Sequence, residues 1–254
     1  LIMKPSIVSR WISPDNFAEK YFSLSPYNYV ANNPLSNTDP TGDTIHYNFA
    51  NAQALIGFIG KILQFSSENL NGQFQFTLTN NSNEDGYNFT LGLEATKNGG
   101  DRSKLSKEGG EFLNAMEGYI NSETVLKQTI VANDPEVRLI DAVNNKLDIA
   151  NVHAFDRKKG GPTGASVFIH ETDEQFTKAK KGYSPGEPST FTAIVSPKKA
   201  SNIAYGGHNK AHALEEKVGG YKRTGLVFQQ GGKRITVSFI YNEKNGKLIV
   251  NKKK

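Results

Sequence analysis

The sequence predicts an α+β fold: a small antiparallel sheet with helices, and a β-hairpin at the C-terminal end. Three observations predict it. Apolar residues recur at helical spacing in some segments and alternate in others. Clusters of Asn, Ser, Asp and Gly separate those segments. The 254 residues are 37% hydrophobic and 22% charged, enough apolar matter to bury a core and too little net charge for wholesale disorder.

Residues 44–49 read as a short strand, and 50–63 as a helix with Ala54, Leu55, Phe58, Ile59 and Ile62 inward. Segment 72–79 alternates through Phe74, Phe76 and Leu78. After an Asn/Ser/Asp/Gly turn, 87–95 alternates again, which predicts an antiparallel hairpin. Residues 106–119 are helical, with Ser106 as N-cap and Phe112, Leu113 and Met116 facing the core. Strands are expected at 124–132 and 137–141, a loop at 156–163, a helix at 165–180 and a strand at 189–196. A further helix, 208–218, is closed by Gly219-Gly220. The chain ends in a hairpin of 234–241 and 247–250 around an Asn-Glu-Lys-Asn-Gly turn. Its residues Ile235, Val237, Phe239, Leu248 and Val250 are expected on one buried face, with Lys252, Lys253 and Lys254 as a solvated tail.

The sequence contains no cysteine, which excludes a disulfide scaffold, a thiolate zinc site and a cysteine nucleophile. There is no run of eighteen apolar residues, so no membrane span is expected. LIMKPSIVSRW has no long apolar stretch and does not read as a Sec signal peptide. No G-x-S-x-G and no P-loop occurs. The net charge of +5 is uneven: residues 221–254 hold nine Lys/Arg and one acid. That end is either a solvated hairpin or a patch for an acidic partner such as nucleic acid.

Chemistry concentrates in two segments. In Val167-Phe168-Ile169-His170-Glu171-Thr172-Asp173-Glu174, His170 and Glu174 stand four apart and share a helix face. Both side chains are competent zinc ligands. Glu171 sits beside the first ligand, where a general base for an attacking water belongs. The alternative is an amphipathic helix with an acidic solvent face. The second segment, Tyr205 to Gly220, carries His208, His212, Glu215 and Glu216. His212 is the expected third ligand. Glu216, four residues on, is expected either as a fourth ligand or as the carboxylate that orients His212. Arg223 or Lys222 is the expected oxyanion partner. His46 and His153 are isolated and read as structural.

Residues 1–43 differ from the rest. They contain Arg10-Trp11-Ile12-Ser13-Pro14-Asp15, then Tyr27-Asn28-Tyr29-Val30-Ala31-Asn32-Asn33-Pro34, then Asp39-Pro40-Thr41-Gly42. These three ordered motifs resemble the C-terminal end of the RHS-repeat-associated core. The resemblance implies a division into 1–43, the end of that core, and 44–254, a variable C-terminal toxin. It further implies a shell that encloses the toxin, a cognate immunity protein, and delivery into competing cells by a specialised secretion system. In many members self-cleavage near the last motif is helped by two aspartates, to which Asp15 and Asp39 correspond. Here Asp15-Asn16-Phe17-Ala18 departs from the second D-P-x-G that many members carry.

The helix pair, H-E-x-x-E-Q-F followed by A-H-x-x-x-E, resembles zincin-like metallopeptidase toxins of Bacteroidetes, over roughly residues 106–223. That resemblance implies zinc as cofactor and a protein of the target cell as substrate. A metal-dependent nuclease and a non-enzymatic binding module stand as alternatives.

Overall fold

The computed structural model describes residues 45–81, 87–141, 143–156, 160–182, 204–224 and 227–253. The chain divides between Gly42 and Asp43, and the structure described below belongs to the second part. The motifs of 1–43, with Asp15 and Asp39, and the strand expected at 189–196 lie outside the described residues.

The fold is α+β, as the sequence predicts. β1 (Ile45–Phe49) runs through the centre of a six-stranded sheet, burying Ile45, Tyr47 and Phe49. Asn51 caps α1 (Ala52–Glu68), its side chain accepting from Ala54 N at 2.9 Å. β2 (Phe74–Asn80) and β3 (Tyr87–Ala95) form the expected hairpin. Ser106 caps α2 (Lys107–Ile120), which buries Phe112, Leu113 and Met116. β4 (Leu126–Val131), β5 (Ile140–Asp141) and β6 (Lys146–Asp148) complete the sheet in the order β2-β3-β1-β4-β6-β5.

The sheet is larger than expected and mixed. β4 lies parallel to β1 and to β6. Parallel pairing needs a long crossover, and α1, the hairpin and α2 supply it between β1 and β4. Periodicity announces a strand but does not name its neighbour. The strand expected over 137–141 is short because Val137 closes a turn, its N–H donating to Asp134 O.

The buried stripe of α1 is Ala54, Phe58, Lys61, Ile62 and Phe65, not the expected Leu55 and Ile59. Aromatic packing sets that rotation. Phe58 meets Tyr47 at 4.6 Å between ring centroids and Phe168 at 6.2 Å. Lys61 is tolerated inside because it pairs with Asp156. Burial lowers the lysine's pKa, against the pull of that carboxylate.

α3 (Ile149–His153) follows β6, and α4 (Gly164–Lys180) starts from a Thr163/Ser166 capping box. α5 (Ala204–Gly219) packs against α4. Then β7 (Lys222–Thr224), β8 (Val227–Gln230), β9 (Lys233–Asn242) and β10 (Lys247–Lys253) form a separate antiparallel meander. Gly246, at φ 63°, closes its last turn; a Cβ there would stand 2.5 Å from the Asn133 carbonyl. Among the described residues no helix is long and apolar enough to cross a membrane.

Two apolar cores result among the described residues. One fills the space between the six-stranded sheet and its helices, with Phe65, Phe112, Phe168 and Ile169. The other lies under the meander, with Phe155, Val167, Phe228, Val237 and Val250. α4 contributes to both, so it has no broad solvent face. That placement governs the site. Asn151 ties the meander down: its Nδ2 donates to Arg138 O (2.7 Å) and Gly246 O (3.0 Å), and its Oδ1 accepts from Leu248 N (2.7 Å).

The expected solvated lysine tail is part of a strand. Lys252 and Lys253 pair with Val237 and Thr236. The Lys252 side chain is buried and its amine donates to Phe155 O at 2.5 Å and to Pro162 O. Burial brings its pKa down to about 8, with Asp156 opposing. Deleting 252–254 is therefore expected to cost about 2 kcal/mol, because buried carbonyls lose a charged donor. Thermal unfolding should fall by roughly 4–8 °C. Lys253→Ala, on an exposed position, should shift it by less than about 2 °C. An unchanged midpoint after the deletion would restore the solvated tail.

Candidate active site

α4 is where the amphipathic alternative meets its test. Glu171 and Asp173, which that alternative puts in solvent, are 7% and 1% exposed, and His170 is also buried. Isolated buried carboxylates are costly, so such a group is expected to have partners or to hold a proton. Asp173 accepts from Tyr119 OH at 2.9 Å and lies 3.5 Å from Lys210 Nζ.

One helical turn brings His170 Nε2 to 3.1 Å from Glu174 Oε1. On the ring's other side, α5 presents Glu215, whose Oε2 lies 3.0 Å from His170 Nδ1 and 3.0 Å from His212 Nδ1. The two imidazole rings are 4.4 Å apart between centroids. After Gly219, Gly220 at φ 64° turns the chain back along α5. That reversal delivers two side chains. Tyr221 OH donates to Glu215 Oε1 at 2.5 Å. The Arg223 guanidinium donates to the His212 ring and lies 3.4 Å from Glu215 Oε2.

The structure thus brings His170, Glu171, Glu174, His212 and Arg223 together, and with Glu215 the acids and imidazoles make two sets that share His170. His170, His212 and Glu215 form one; His170, Glu171 and Glu174 form the other. Within each, one ligand atom per residue lies within 4.8 Å of the rest. The expected trio of His170, Glu174 and His212 is split between them. Glu216 belongs to neither: its Oε1 accepts the Arg223 backbone N–H at 2.9 Å, and so it anchors β7. Lys222 is exposed on β7. The side chain of His208 lies outside the described residues. His46 is on β1, and His153 Nε2 donates to Gly57 O at 3.3 Å.

Glu215 and Tyr221 were missed by sequence reasoning. A signal for Glu215 existed. Ala211, Glu215 and Val218 are all buried and lie at i, i+4 and i+7, so a carboxylate stands in the apolar stripe of α5. Without the partner helix, that stripe cannot be told from the one through Glu216.

The electrostatics follow from burial against these contacts. Burial disfavours the His170 cation, but Glu174 and Glu215 outweigh it and hold the pKa up at about 10. Burial pushes Glu171 up to about 8, with the His170 charge opposing. Burial also acts to raise Glu215, yet hydrogen bonds from His170, His212 and Tyr221 hold its carboxyl well below the usual range. The site concentrates carboxylates around a point that calls for positive charge. A proton on His170 and the guanidinium of Arg223 supply it here.

Two imidazoles and a carboxylate are a zinc donor set. Donors about 2.1 Å from one tetrahedral ion stand about 3.4 Å apart, so the 3.0 Å contacts made by Glu215 need to widen only slightly. The residues fit the ion, provided that His170 loses its proton and Arg223 draws back from His212. A cavity of about 240 Å³ opens over His170, Glu171, His212, Glu215 and Arg223. No family model, curated protein or solved structure matches the chain.

Proposed function

We propose that residues 44–254 are a zinc-dependent hydrolase that cleaves peptide bonds, and that the chain is the C-terminal end of an RHS-type polymorphic toxin used in competition between bacteria. The observation that carries the enzymatic part is the convergence of His170, His212 and Glu215 from two packed helices, with Glu171 beside them at the floor of a cavity. The toxin part rests on the three motifs of residues 10–42, and with it stand the shell, the immunity protein and delivery by a specialised secretion system.

When bound, zinc supplies Lewis acidity. His170, His212 and Glu215 would hold it. Tyr221 donates to the far oxygen of Glu215 and so fixes that carboxylate's orientation. Glu171 takes the proton of the attacking water and passes it to the leaving amine. The protein raises its pKa by burial, which suits a group that must both accept and return a proton near neutrality. Arg223, facing the cavity, places positive charge where an oxyanion develops.

Purified protein is expected to bind about one zinc per chain, and His170→Ala to bind none. Elemental analysis after dialysis reads this. Unchanged zinc in the variant would mean that the ion sits elsewhere and would remove the hydrolase. A metal-dependent nuclease would use exposed cations of the meander, such as Lys233, Arg234 and Lys247. Nucleic acid degraded in intoxicated cells would favour that reading.

A further inference from the structure

Phe239 is exposed in an unexpected way. On β9 it faces the same side as Val237 and, across the strand pair, Val250, both buried in the meander's core. A side chain on that face should be covered. Phe239 is 43% exposed because the cavity opens beneath it. Its neighbour Ile240, 57% exposed, is on the opposite face, where exposure is ordinary.

Two kinds of side chain line the cavity. Glu171, His170, His212, Glu215 and Arg223 are polar or charged. Leu139, Phe155, Val167, Phe239 and Leu248 are apolar. Phe155 and Phe239 stand 6.0 Å apart between centroids at a 52° tilt. None of these five side chains carries a hydrogen-bonding group. Arg138 also lines the cavity, its guanidinium 3.2 Å from Glu243 and both side chains largely exposed.

Size narrows the occupant. A buried apolar cavity of about 150 Å³ accepts benzene, and sites for drug-sized molecules start near 300 Å³. A volume of about 240 Å³ for the whole cavity, its polar lining included, therefore leaves room for one large side chain and little more. A nucleobase has comparable bulk, but it brings polar edges that Leu139, Phe155, Val167, Phe239 and Leu248 would leave unpaired.

We propose that this cavity is a side-chain subsite for one bulky apolar residue, aromatic or branched aliphatic, next to the bond to be cleaved, and that Phe239 sets the preference. Only the cleavage rests on the hydrolase reading; seating of the side chain does not. The substrate class is then a peptide presenting Phe, Leu or a similar residue at the position adjoining the reacting centre.

The test is binding by NMR titration of the full chain with N-acetyl amides of Phe, Leu, Gly and Asp, competed with adenosine and uridine monophosphates. The Phe and Leu amides should bind at least about tenfold more tightly than the Gly and Asp amides. Phe239→Ala should lose about tenfold for the Phe amide. Phe239→Trp, which fills the space without removing apolar surface, should exclude the Phe amide. Ile240→Ala should bind as the parent does. Equal affinity for all four amides, tighter binding of a nucleotide, or no effect at Phe239 would each overturn the subsite. Cleavage sites mapped by mass spectrometry in an unfolded protein report separately on the chemistry. Cleavage without apolar preference sinks the subsite and keeps the hydrolase. Selective amide binding with neither zinc nor cleavage keeps the subsite and sinks the hydrolase.

Discussion

Glu171→Gln is expected to lower hydrolysis by about 10²–10⁴-fold, the range that a positioned general base contributes, and to leave zinc content unchanged. The amide keeps the shape of the carboxylate and loses its basicity. The parent already pushes that carboxyl upward by burial, with Glu174 and Glu215 close enough to add to the effect. A neutral group at 171 therefore costs little near neutrality and relieves repulsion above about pH 8, so thermal stability should hold, or rise at alkaline pH. Relief of toxicity in a recipient cell, with zinc and unfolding measured on the same protein, checks the result. A Glu171→Gln protein as toxic as the parent would leave Glu171 without a catalytic role.

The second large effect separates two adjacent glutamates. Glu215→Gln is expected to weaken zinc binding by more than the 10–100-fold typical of groups one step removed from a metal. Glu216→Gln should change it by less than about threefold, because that carboxylate meets the Arg223 backbone and not the site. In the metal-free protein, Glu215→Gln also strips the counter-charge shared by His170, His212 and Arg223. Breaking a buried ion pair costs about 3–5 kcal/mol, so apo Glu215→Gln should unfold well below the parent. Competition with a chromophoric chelator and thermal unfolding read the two quantities. Reversal of the order, with Glu216 the more damaging, would return the site to the arrangement expected from the i, i+4 spacing of His212 and Glu216.

Much of the local structure was legible in the sequence. Ser106 as N-cap, the Gly219-Gly220 helix end, the hairpin of β2 and β3, and the β9–β10 turn all rest on contacts within a few residues. The i, i+4 geometry of His170 and Glu174 is equally local, and the 3.1 Å contact bears it out. The lysine end misled because a charged side chain reads as solvated. Lys252 is inside only because carbonyls of Phe155 and Pro162, about ninety residues away in the chain, wait for its amine.

The sequence by itself determined the α+β class, the turns and caps, and the two helices that bear histidine and glutamate, because propensity, capping and periodicity act over one or two turns. Only the tertiary structure decided which face of each helix meets the other. It put Glu215 rather than Glu216 against His170, drew Tyr221 and Arg223 back onto α5, and left Phe239 over an open cavity. Those outcomes depend on packing between segments far apart in the chain. Adjacent helical positions point about 100° apart, and a contact with another element chooses between them.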